Sequence, residues 1–90
     1  MSGIPGNPLG YARDVGEGNA PFTVIHLKKM TEEELRKMFL NLNIALREVR
    51  QSGITPGDID GMRRRAHRLQ RLSNALMLVE HHAKKLRIRM

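Results

Sequence analysis

Residues 62–86, MRRRAHRLQRLSNALMLVEHHAKKL, decide how this chain folds. Leu69, Leu72, Leu76, Val79, Ala83 and Leu86 recur at heptad spacing, and the pattern extends to Met90, so one long helix carries a packing seam. The same helix opens on five arginines and a histidine in residues 62–71, with no carboxylate among them. On a helical wheel Arg63, Arg64, His67, Arg68 and Arg71 fall within an arc of about 140°, away from the centre of the seam. Arg64, Arg68 and Arg71 form its tightest row. Arg65 falls on the seam itself, where its aliphatic stem is expected to follow the core edge while the guanidinium reaches water. Lys84 and Lys85, with Arg87 and Arg89, place positive charge at the end of the helix, where its dipole favours it.

Upstream, Thr31 and Glu34 make a capping box, and Glu32 and Glu33 add negative charge to a helix start. Leu35, Met38, Phe39, Leu42, Ala45, Leu46 and Val49 then form one apolar stripe, and Gly53 is placed to close the helix. The second helix is expected to open at Thr55, with Pro56 in its first turn and Asp58 three residues after the cap. A link as short as SGIT leaves too little chain for anything but an antiparallel return. The fold expected is all-α: a helical hairpin of a short first helix, roughly 30 Å, and a long second one, roughly 50 Å.

This hairpin has more apolar surface than two helices bury against each other. Leu40 and Ile44 lie opposite the main stripe of the first helix, and residues 75–79, ALMLV, are apolar all round. Leu40, Ile44, Met77 and Leu78 are therefore expected to form a second layer of contacts around the seam residues Leu69, Leu72, Leu76 and Val79. Pairing of two hairpins into a dimeric four-helix bundle is the economical arrangement. The alternative is that an N-terminal arm bearing Phe22, Val24, Ile25 and Leu27 covers one of these surfaces within a monomer.

Ahead of the hairpin the composition changes. Residues 1–21 hold five glycines and three prolines, which cost backbone entropy and offer little to bury, so a flexible tail is expected there. Residues 22–30 contain FTVIHL, read as an extended arm laid on the helices because no partner strand is visible. Residues 31–90 are the hairpin domain.

Charge separates the same regions. Of the formal net charge of +7, residues 1–30 contribute +1, residues 31–54 contribute 0 and residues 55–90 contribute +6. An excess confined to one segment points to a localised surface for a polyanion. Arginine's rigid fork of donors suits phosphate oxygens, and nucleic acid is the leading partner. With two phenylalanines, one tyrosine and no tryptophan, the chain lacks the aromatic platforms of single-strand binders that stack bases. A helix-turn-helix would place its reading residues near the start of a shorter helix. Backbone recognition of double-stranded or structured RNA is favoured, with duplex DNA next.

Other classes fit less well. The serines Ser2, Ser52 and Ser73 have no histidine and carboxylate placed for nucleophilic catalysis, and no glycine-rich phosphate loop links a strand to a helix. No enzymatic activity and no cofactor are expected. The adjacent His81 and His82 point to different sides of a helix, so no helical metal pair is expected. With no cysteine, disulfides and thiolate sites are excluded. The second helix has no aromatic anchors for a bilayer surface, residues 1–19 lack the pattern of a secretory leader, and an intracellular protein, cytoplasmic or associated with nucleoid or nucleus, is expected. The competing reading is a helical adaptor or inhibitor that docks an acidic protein on the same arginine row.

Overall fold

The computed structural model describes residues 7–53 and 56–88. Among these residues the chain is all helical, with α1 (Pro8–Glu17), α2 (Val24–Lys28), α3 (Glu32–Gln51) and α4 (Ile59–Lys85), and it has no strand.

Helix α3 starts where the local chemistry dictates. Thr31 Oγ1 accepts the Glu34 N–H at 3.2 Å, and Glu34 Oε1 accepts the Thr31 N–H at 3.1 Å. The i,i+4 pairs Glu32–Arg36 and Glu33–Lys37 support its exposed side. Leu35, Met38, Leu42, Ala45 and Leu46 are buried, and Phe39 and Val49 pack at the edge of the core. Its end differs from the expected glycine closure: the capping residue is Ser52, in an extended conformation.

Helix α4 begins later than Thr55 and Pro56 imply. Asp58 is the cap, with Oδ1 accepting the Gly61 N–H at 2.9 Å, after a turn in which Gly57 takes φ 86°. Thr55 itself lies outside the described residues. Leu72, Ala75, Val79 and Ala83 are buried, with Leu69 and Leu76 packed beside them. The helix stops at Lys85 because the chain reverses there. Arg87 takes the left-handed φ of 58°, its N–H donates to the Lys84 carbonyl, and the Ile88 N–H donates to the Ala83 carbonyl at 2.8 Å. This closure turns Ile88 into a recess with Phe39 and Ala83 and leaves Leu86 outside the seam. The expected last seam residue, Met90, and Arg89 lie outside the described residues.

Residues 7–30 are where the expectations need correction. Within the supposed tail, Asn7 caps α1 by accepting the Leu9 N–H at 3.0 Å, Pro8 fills the first turn, and Gly18 at φ 81° ends the helix. Tyr11, Ala12, Val15 and Gly16 are buried against α3 and α4. A Cβ on Gly16 would meet Leu72 Cγ and Cδ1 at 3.2 Å, so glycine here lets α1 lie close to α4. Packing of small residues offsets the entropy cost that composition alone assigns to this stretch. The Tyr11 hydroxyl donates to the Pro21 carbonyl at 3.0 Å, its ring sits 6.1 Å from that of Phe22, and burial raises its pKa.

The expected extended arm is also helical. The Thr23 N–H donates to His26 Nδ1 at 3.3 Å, and α2 buries Leu27 completely, followed by Met30. Phe22 lines a recess with Val15, Ala75 and Leu78, whereas Val24 and Ile25 face outward. Part of the surplus apolar surface of α4 is thus covered from within the chain.

Candidate nucleic-acid interface

The arginine segment lies where α1 and α3 both end, and much of its charge is used there. Helix C-termini leave carbonyls without intrahelical donors, and their dipoles favour a cation. Arg65 meets the end of α3: Nε donates to the Val49 carbonyl at 3.3 Å and Nη2 to the Arg50 carbonyl at 3.1 Å. Its guanidinium therefore clamps α4 to the end of α3 at a partly exposed position, with its stem along the core edge as expected.

Arg68 and Arg71 serve the end of α1. Arg68 Nε pairs with Glu17 Oε1 at 3.1 Å, and Arg71 Nη1 donates to the Gly16 carbonyl at 3.2 Å. The Arg71 guanidinium lies over Gly18, where a Cβ would come within 2.9 Å of Cζ. The expected free row of Arg64, Arg68 and Arg71 is accordingly divided, because two of its members turn toward a helix that composition hides. A third tie holds α1 to α3. Arg13 donates to both Glu48 oxygens, at 3.0 and 2.7 Å, which lowers the Glu48 pKa and raises that of Arg13.

Arg63, Arg64 and His67 remain exposed. Arg63 and Arg64 take part in none of the ion pairs or side-chain hydrogen bonds found among the described residues. Lys84 and Lys85 are exposed in the last turn of α4. At 100° per residue, Arg63, His67, Gln70, Asn74, His81 and Lys85 fall within about 60° of one another. All six are exposed, and no carboxylate interrupts that line. It runs roughly 33 Å along the axis, close to the 34–36 Å of one duplex turn.

No family model, curated protein or solved structure matches this chain.

The structure also brings together what sequence spacing did not suggest. Arg64, Arg65 and Arg68 line a recess of about 230 Å³ with Ser52, Gly53, Asp58 and Gly61, beside the turn between α3 and α4. The visible signal was the i, i+1, i+4 spacing of the arginines next to a short link. The direction in which that link folds was not visible.

The apolar residues expected at the core and dimer contact divide as well. Leu72 and Val79 are spent in the core, Leu69 and Leu76 pack at its edge, Ile44 is half-buried, and Leu40 and Met77 are each 60 % exposed. Among the described residues no three metal-ligating side chains of the His, Cys, Asp or Glu types come together, and no helix is long and apolar enough to cross a membrane.

Proposed function

We propose that this protein binds nucleic acid through phosphate contacts, with double-stranded or structured RNA as the favoured ligand and duplex DNA as the next. The observation that supports this reading is the exposed line on α4 from Arg63 to Lys85, which lacks carboxylates and has about the length of a duplex turn. Arg63 and Arg64 at one end and Lys84 and Lys85 at the other supply the charge, His67 and His81 add donors, and Gln70 and Asn74 offer amides to sugar hydroxyls or phosphates between them. On A-form RNA such a strip would lie along the wide minor groove, where 2′-hydroxyls and phosphates are accessible.

The reading includes a homodimer. Helices α3 and α4 form the helical hairpin, and a second copy packs across Leu40 and Ile44 to give a bundle with two symmetry-related basic strips, while Met77, which shares a recess with Asn74 and His81, stays on the strip's face. Exposed Leu40 supports this contact. Light scattering at micromolar concentration should give twice the chain mass of 10.3 kDa, and a monomeric mass throughout would remove the symmetric arrangement.

Titration against duplex RNA, duplex DNA and single strands at several salt concentrations tests the function. With about four phosphates neutralised per chain, log affinity should fall against log salt with a slope near −4 on duplex DNA. Absence of salt-dependent binding to every nucleic acid would leave the acidic-protein adaptor as the better reading.

A further inference from the structure

The exposed line on α4 from Arg63 to Lys85 has one irregular interval. Arg63, His67, Gln70 and Asn74 follow at steps of three or four residues, and His81 and Lys85 are four apart, but Asn74 and His81 are seven apart, roughly 10 Å along the axis. Met77 and Leu78 stand in that gap, about 50° to either side of the line. With Asn74 and His81 they line a recess of about 360 Å³ whose surface is almost wholly apolar.

The two walls of this recess differ. Leu78 is half-buried and packed on the core beside Phe22 and Val15, so its side is fixed. Met77 is 60 % exposed and carries a flexible, polarizable thioether that can settle against a flat ring. At the two ends, the Asn74 amide and the His81 imidazole take part in none of the hydrogen bonds found among the described residues. An apolar surface with free polar groups at its ends, inside the roughly 300–1,000 Å³ range of sites that take an organic group, suits a nucleobase better than a phosphate. A continuous A-form duplex has no such face to offer, because its bases are stacked on one another and its minor groove presents edges, sugars and 2′-hydroxyls. An unpaired base presents both face and edges and costs little to leave the stack.

We infer that this recess is a subsite for one unpaired nucleobase of a structured RNA, whose face lies on Met77 and Leu78 and whose edges meet Asn74 and His81. The inference rests on the nucleic-acid reading above and adds recognition of a bulged nucleotide to it. The recess lies on the line itself, so the helical arms on either side of the bulge would place their phosphates along it, toward Arg63 in one direction and Lys85 in the other.

Three RNAs of one sequence supply the probe: a continuous duplex, the same duplex with one bulged nucleotide, and that bulge with its base removed. Wild type should prefer the bulged duplex over both others by about tenfold, the scale of docking one base on a side-chain platform. The Met77 methyl signal in 1H–13C NMR should shift with the bulged duplex and stay in place with the abasic one. Met77→Gln keeps the length of the side chain at an exposed position, so helicity should hold while the preference is lost. Lys85→Gln should weaken all three RNAs alike and keep the ratio. Salt-dependent binding with no preference among the three would overturn the subsite while the nucleic-acid reading stands. An equal gain from the bulged and abasic RNAs would show that duplex flexibility is recognised and would overturn base docking, as would an unchanged preference in Met77→Gln. Binding to no nucleic acid at all would overturn both readings and leave Met77 and Leu78 to a protein partner.

Discussion

Helices α1 and α3 both pack on α4, but by different chemistry. Helix α3 contributes Leu35, Met38, Leu42 and Leu46, large side chains that are almost wholly buried. Helix α1 contributes Ala12, Val15 and Gly16 with one tyrosine, approaches closely, and adds polar ties at its end through Arg68 and Arg71 and at its side through Arg13 and Glu48. Apolar burial scales with area and is insensitive to pH, whereas half-exposed ion pairs contribute little and weaken in salt. The α3–α4 contact should set the global stability. Helix α1 should open at lower free energy, in a local event.

The largest effect expected from that contrast is at Leu42, which is fully buried. Leu42→Ala should cost roughly 2–5 kcal/mol in urea unfolding, with the whole transition shifted. A loss well below that range would mean that the α3 stripe is not the main core. Next comes Gly16→Val, which forces a branched side chain against Leu72 and should cost roughly 1–3 kcal/mol by overpacking. Hydrogen exchange should show faster opening of residues 8–17 with α3 protection retained, and a uniform loss of protection would erase the distinction between the two helices.

Arg68→Gln removes a partly exposed pair and should cost under about 1 kcal/mol, less still in high salt. The smallest change is acid-dependent. The Arg13 hydrogen bond and charge hold Glu48 below its usual pKa, so the pair's contribution is full above the ordinary carboxylate range and is lost as pH falls through the lowered value. Exchange from α1 should accelerate in acid more in the wild type than in Glu48→Gln. Identical acid responses would show that this pair does not hold α1.

Helix α3 was legible from Thr31 and Glu34 and from the spacing of Leu35, Met38, Leu42 and Leu46, because its cap and its stripe are both local signals. The core residues Leu72 and Val79 followed from the heptad for the same reason. Helix α1 carried local signals too, Asn7 before Pro8 and Gly18 after Glu17, but its glycines read as entropy cost. Gly16 becomes favourable only once Leu72 lies against it, a contact 56 residues away in sequence that periodicity within either segment cannot reveal. The wheel gave the angular order of the arginines. That order could not distinguish Arg63 and Arg64, which face outward, from Arg68 and Arg71, which meet Glu17 and the Gly16 carbonyl, since those partners belong to a segment whose folding was not apparent.

This division of the arginine segment is the centre of the account, and one paired measurement reaches it directly. Arg63→Gln/Arg64→Gln and Arg68→Gln/Arg71→Gln remove the same charge from the same helix, two residues each, and both can be assayed for duplex RNA affinity and for hydrogen exchange in residues 8–17. The first pair should lower affinity and flatten its salt dependence by about 2 on a duplex while leaving α1 protection unchanged. The second should expose α1 to exchange and lower affinity less. Equal affinity losses with α1 protection intact in both variants would contradict the account, because all four arginines would then be acting as one free row.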